Sequence, residues 1–185
     1  MTKLLKSDLR KKIKSLRAEI DSVQKSHQIV RNIKSMSEYK NAKNVMIFYP
    51  MKHEVDLREL LSDNKNFFLP KTCNEEILIC PYKNGDILKK SSFNVLEPIT
   101  DPVEVQILDM IFVPALAVDK NFYRLGYGKG FYDRFLKSSS AIKITPIFNE
   151  LILDKIPTQP HDERIDFIIS EMLTLKNKSL IKTCE

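Results

Sequence analysis

Four short apolar runs, each stopped by a proline, constrain this chain more than any other feature. Val45-Met46-Ile47-Phe48-Tyr49 ends at Pro50, Phe67-Phe68-Leu69 at Pro70, Ile77-Leu78-Ile79-Cys80 at Pro81, and Met110-Ile111-Phe112-Val113 at Pro114. A strand with one wet face alternates apolar and polar residues, whereas an unbroken run marks a strand buried on both faces. Further strands are expected at 142–148 and 167–170, with a helix at 130–138 ahead of them. Leu5, Leu9, Ile13, Leu16, Ile20 and Val23 recur at steps of three and four, which predicts a long first helix with one buried stripe. A second helix is expected over 24–37. Asp56 and Glu59 have the spacing of a helix-start capping pair ahead of Leu57, Leu60 and Leu61. The reading is an α/β fold: a single three-layer domain over residues 1–185, with a largely parallel central sheet and helices on both faces. In such sheets ligands bind outside the carboxyl ends of the strands, so the loops after residues 49 and 113 are the first places to look.

Composition narrows the function. With 185 residues, 43% hydrophobic and 29% charged, the chain can bury a core without disulfide staples. The longest wholly apolar stretch, Met110 to Val118, has nine residues, less than half of the roughly 20 that span a bilayer. The basic start lacks the apolar stretch of a secretory signal. Cys73, Cys80 and Cys184 have no metal-site spacing and read as reduced thiols. The expectation is a cytoplasmic protein with no membrane partner, a monomer or weak dimer.

The net charge of +6 sits at one end: residues 1–40 hold eleven Lys and Arg against four acids, and the rest holds 19 against 20. Such a segment binds nucleic acid, an anionic membrane or a phosphorylated small molecule, or is simply a solvated helix face. The charge-balanced body and the lack of an aromatic-rich RNA motif argue against nucleic acid.

Three of the four glycines fall within Arg124-Leu125-Gly126-Tyr127-Gly128-Lys129-Gly130-Phe131-Tyr132-Asp133-Arg134. Glycine lets consecutive backbone N–H groups turn toward one anion, and a helix starting there adds its positive end. Lys129 and Arg124 add full charges suited to a nucleotide phosphate. The pattern is neither of the two familiar nucleotide loops. The bland alternative is an ordinary turn before a helix.

This segment resembles the signature of the 5-formyltetrahydrofolate cyclo-ligase (methenyltetrahydrofolate synthetase) family. Lys6-Ser7-Asp8-Leu9-Arg10, Tyr49 to Asp56, Pro114 to Asp119 and Pro157 to Asp166 agree with it in order, so the likeness spans most of the chain. One departure is Phe122, where the family usually has glycine; Asn121 is expected to take the left-handed turn in its place. The resemblance implies an ATP- and magnesium-dependent ligase that converts 5-formyltetrahydrofolate to 5,10-methenyltetrahydrofolate, ADP and phosphate. Phosphorylation makes the formyl oxygen a leaving group, and the neighbouring folate amine closes the ring.

Roles follow from that likeness. Lys6 and Arg10 lie one turn apart near the start of the first helix, where cations oppose the helix dipole unless an anion is bound between them. The family implies ATP binding by Lys6, Ser7, Asp8, Leu9 and Arg10 and by residues 124–132, that is Arg124, Leu125, Gly126, Tyr127, Gly128, Lys129, Gly130, Phe131 and Tyr132. Lys129 and Arg124 would neutralise the transferring phosphate as the catalytic pair. Folate would meet Arg10, Tyr49, Glu54, Tyr127, Gly128, Lys129, Gly130 and Phe131, with Glu54 accepting hydrogen bonds from the pterin. Magnesium would take Asp133 and Asp166. Alternatives remain: a salt bridge of Asp133 with Arg134 or Arg124, a strand-start cap for Asp166, a surface acid for Glu54. Lys11, Lys12, Lys14 and Arg17 are expected to be solvated.

Overall fold

Both faces of the apolar runs are covered, as their lack of alternation requires. The computed structural model describes residues 2–178, with side chains from Lys6 onward. Three helices lead, α1 (Thr2–Ala18), α2 (Ser22–Ser35) and α3 (Ser37–Asn41), followed by strands β1 (Asn44–Met46), β2 (Asn66–Cys73) and β3 (Glu76–Tyr82). The hairpin of β4 (Leu88–Lys90) and β5 (Leu96–Pro98) precedes β6 (Met110–Phe112), β7 (Ala117–Asp119) and β8 (Arg124–Leu125). Helix α4 (Phe131–Lys137) and strands β9 (Ile142–Pro146), β10 (Ile152–Leu153), β11 (Phe167–Ile169) and β12 (Thr174–Lys176) complete the order.

The main sheet runs β12-β11-β9-β6-β1-β2-β3. β1 pairs in parallel with β2 and β6, β6 with β9, and β9 with β11. Only the two edge strands, β3 and β12, are antiparallel. In the centre, Val45, Met46, Met110, Ile111 and Phe112 are all 0% exposed, although successive side chains point to opposite faces. A layer of chain therefore lies on each side. The expected α/β architecture is the one observed. A small sheet, β10-β7-β8, stands beside the main one and carries the hairpin that feeds the glycine segment.

Two local expectations change. α1 ends at Ala18, and Asp21 starts a new helix by accepting a hydrogen bond from Val23 N, so the long stripe is broken. Ile13 is buried, but Leu16 and Val23 are exposed; the side chain of Leu5 lies outside the described ones. After β1, Asp56 and Glu59 do not form a reciprocal cap. Asp56 Oδ1 accepts from Arg58 N, the Asp56 N–H donates to Ser26 Oγ, and Glu59 pairs with His27 and Lys34, leaving one short 3-10 turn over Arg58–Ser62. Cys73 and Cys80 are unpaired thiols, and Cys184 lies outside the described residues. Among the described residues no helix is long and apolar enough to cross a membrane.

Candidate active site

The ends of β1, β2 and β6 open onto a cleft of about 860 Å³. Phe48, Tyr49, Met51 and Glu54 follow β1 into it, Pro70 and Thr72 come from β2, and Pro114 follows β6. The loops after residues 49 and 113 thus lie where a parallel sheet presents its ligands. Lys6, Arg10 and Lys14 of α1 reach in from one side, and residues 124–134 form the other.

The glycine segment is held by a buried acid upstream. Asp119 is 0% exposed; its Oδ1 accepts from Asn121 N at 2.9 Å and Tyr123 N at 3.0 Å, and its Oδ2 from Ile156 N at 2.9 Å. These bonds shape the β7–β8 turn. Contrary to expectation, the left-handed residue in it is Phe122 itself, with φ 66°, and not Asn121. The Phe122 carbonyl accepts from Ile165 N and its ring packs on the core, so tertiary contacts hold a conformation that costs a non-glycine residue about 1–2 kcal/mol.

Beyond that turn each glycine lies against an arginine. A Cβ at Gly128 would stand 3.2 Å from Arg10 Cζ, one at Gly130 3.0 Å from Arg134 Nη1, and one at Gly126 3.4 Å from Arg124 Nη1. Gly128 and Gly130 also have positive φ, 102° and 70°. Glycine here lets three guanidinium groups close onto the backbone, and Arg10 Nε donates to Gly126 O at 2.8 Å. Helix α4 has only seven residues, so side-chain charge outweighs the helix terminus.

Seven cations line the cleft against four carboxylates. Lys6 is buried and pairs with Asp162 at 2.5 Å. Arg124 is 6% exposed, donates to Asp133 Oδ1 at 2.7 Å, and keeps a buried Nε without a partner. Burial pushes its pKa below the usual arginine value, against the pull of Asp133 and its neighbours. An unpaired donor on a buried cation is costly. Lys129 is exposed, its Nζ 5.9 Å from the Phe93 ring. Ser7 and Asp8 are exposed and do not line the cleft, while Leu9 packs on the core.

The acids divide. Asp133 lines the cleft with Oδ1 taken by Arg124 and by Glu163 N. Asp166 is not brought to it: Asp166 Oδ2 accepts from Lys143 N at 2.7 Å and so caps the amino ends of β9 and β11, outside the cleft. Among the described residues there is no group of three or more His, Cys, Asp or Glu that could hold a metal. The donor set fits a magnesium ion that keeps waters and substrate phosphates and takes one carboxylate from the protein, Asp133. His27 is exposed and His53 does not line the cleft, whereas His161 does.

Glu54 is no surface acid. Its side chain is 2% exposed; Oε1 accepts from the Tyr127 hydroxyl at 2.6 Å and lies 3.5 Å from Arg17 Nη2, and Oε2 accepts from Met51 N at 2.8 Å. Arg17, expected to be solvated, is 5% exposed beneath this wall. Burial raises the Tyr127 phenol, and the nearby Glu54 charge raises it further. The same two causes raise the Tyr132 phenol, which lies under the Arg124 guanidinium.

Sequence reasoning also missed Phe93, at the tip of the β4–β5 hairpin, which meets the Phe131 ring edge-on at 5.6 Å, and Glu97, which lines the cleft and accepts from Thr72. No local pattern flags them. Arg17 did carry a signal: it follows Arg10 by seven residues and Lys6 by eleven, on one helical face. Lys14 is exposed as expected, yet it lines the cleft with its ammonium over Tyr127.

Residues 2–171 match the 5-formyltetrahydrofolate cyclo-ligase family. The chain belongs to that family. It is therefore an enzyme of the cyclo-ligase kind. The mouse 5-formyltetrahydrofolate cyclo-ligase is 28% identical, over 90% of this chain and 92% of its own. The *Haemophilus influenzae* protein of the same name is 26% identical, over 85% and 92%. Among solved structures, the *Aquifex aeolicus* 5,10-methenyltetrahydrofolate synthetase superposes with a TM-score of 0.83 at 32% identity, covering 93% of this chain and 92% of its own. The fold is that of a cyclo-ligase.

Proposed function

We propose that this cleft converts 5-formyltetrahydrofolate to 5,10-methenyltetrahydrofolate at the expense of ATP. The observation that carries the reading is the pairing of two unlike surfaces in one cleft: three arginines closed onto Gly126, Gly128 and Gly130, and a buried Glu54 held by Tyr127 of the same segment. The first suits phosphates, the second a polar ring with hydrogen-bond donors.

Arg10, Arg124, Lys6 and Lys129 bind and neutralise the ATP phosphates. The formyl oxygen attacks the γ-phosphorus; an O–P bond forms and the bond to the β-phosphate oxygen breaks, releasing ADP. The neighbouring folate amine then bonds to the formyl carbon and loses its proton, and the C–O bond breaks with phosphate leaving. No group is oxidised or reduced. Asp133 would hold magnesium, which supplies charge neutralisation on the phosphates when bound. Arg124 and Lys129 act where charge develops on the transferring group, an arrangement that needs positioning more than covalent help. Tyr49, Phe131 and the Glu54–Tyr127 pair form the folate side, and Tyr132 lies beside Arg124 on the nucleotide side.

The test is the absorbance of the methenyl product with and without ATP, with ADP measured in parallel. The expected result is strict ATP dependence and one ADP for each product. ATP turnover with a different acceptor and none with 5-formyltetrahydrofolate would leave the scaffold and change the substrate.

A further inference from the structure

Arg17 lies outside the cleft lining, yet its donors go to the segments that build the folate wall. Its Nε donates to His53 O, its Nη1 to Ala115 O at 3.4 Å and to the Tyr127 hydroxyl at 3.0 Å, and its Nη2 stands 3.5 Å from Glu54 Oε1. One guanidinium thus joins the loop after β1, the chain after β6 and the glycine segment. The fork is what makes this possible, since a lysine ammonium is a single point.

Two details tie this contact to the cleft and not only to the core. Arg17 bonds the carbonyl of His53, a non-glycine residue with φ 64°, and the next residue is Glu54. The left-handed turn that swings Glu54 toward the cleft is therefore held from below by Arg17. The Tyr127 hydroxyl has one hydrogen; it donates this to Glu54 while accepting from Arg17, so the direction of the chain Arg17 to Tyr127 to Glu54 is fixed.

We propose that Arg17 is a positioning residue for the folate side of the site: it holds the Glu54 carboxylate aimed, and commits the Tyr127 hydroxyl to it, without touching substrate. The proposal rests on the reading that folate binds beside Glu54, and the experiment separates the two.

Titration of the full-length protein with 5-formyltetrahydrofolate, without nucleotide, is compared for the parent, Arg17→Met, Arg17→Lys, Tyr127→Phe and the Arg17→Met, Tyr127→Phe double variant. Arg17→Met should weaken folate about tenfold and leave ATP affinity within about twofold. Arg17→Lys, which keeps charge but not the fork, should recover part of the loss. The double variant should lose less than the product of the two single losses, because both act through Glu54. A second readout needs no ligand. The chain has six tyrosines and no tryptophan, so the emission of Tyr127 can be isolated as the difference from Tyr127→Phe. The carboxylate bond quenches it, and Arg17→Met should raise it. Parental folate affinity and parental emission in a folded Arg17→Met protein overturn the proposal. So does equal weakening of folate and ATP with a multiplicative double variant, which marks a structural pillar only. If Arg17→Met does not fold, Arg17→Lys decides by the same measures. If the parent itself does not bind 5-formyltetrahydrofolate, the folate reading fails, and the emission change still decides whether Arg17 positions Tyr127.

Discussion

In the glycine loop Lys129 stands in solvent and makes no ion pair among the described residues, whereas on the Glu54 side Arg17, beneath the cleft lining, and Glu54 are each about 5% exposed and tied to each other and to Tyr127. The sign of charge is shared by Lys129 and Arg17, but the physics is not. A cation in water is screened and is held cheaply until an anion arrives. A buried ion pair has already lost its hydration, so removing one partner leaves an uncompensated charge and costs about 3–5 kcal/mol. The exposed wall should therefore lose function when altered, and the buried wall should lose function and stability together.

Arg124 cuts across that division, since it belongs to the glycine-loop wall and is buried beside Asp133. Arg124→Met should lower turnover about 10²-fold or more and stability by about 3 kcal/mol, read by methenyl absorbance and by urea unfolding. A large loss of turnover with unchanged stability would mean that burial is not what separates the two walls.

Glu54→Gln comes next. The folate Michaelis constant should rise about tenfold while that of ATP stays within about twofold, and urea unfolding should show a loss of about 3 kcal/mol as Arg17 is left without its counter-charge. If a folded variant titrates with 5-formyltetrahydrofolate as the parent does, the pterin does not lie against this wall.

Lys129→Ala should lower turnover about tenfold, equivalent to about 1.4 kcal/mol of transition-state stabilisation, with an unchanged melting curve. Raised ionic strength should weaken ATP binding in the parent and leave 5-formyltetrahydrofolate binding nearly as it was. An equal salt effect on both substrates would erase the contrast.

The smallest expected effect is in Asp133→Asn, which keeps the shape and removes the charge. Apparent magnesium affinity should fall several-fold, with folate binding in the absence of nucleotide near normal, both followed by titration. Equal loss of both would make Asp133 only a support for Arg124.

Much of this molecule is set by short-range sequence. The unbroken runs at 45–49 and 110–113 pointed to burial on both faces, and the covered, largely parallel sheet provides it. The glycine segment was equally legible, because the freedom of Gly128 and Gly130 to take positive φ is a property of the residues themselves. Tertiary structure decided which charges are solvated. Arg17 and Lys12 lie on the same basic helix, and only the packing of residues 53, 115 and 127 against one face buries the former. It also decided the surroundings of two aspartates: Arg124 holds Oδ1 of Asp133 in a salt bridge at the cleft, and the Lys143 amide takes Asp166 as a strand cap outside it. Likewise Ser26, thirty residues upstream, accepts the Asp56 amide that a reciprocal cap would have used, and the expected helix shortens to a 3-10 turn. The reason is the same in each case. A backbone preference is felt within a few residues, but the fate of a polar side chain depends on which donor or acceptor the fold brings to it from far along the chain.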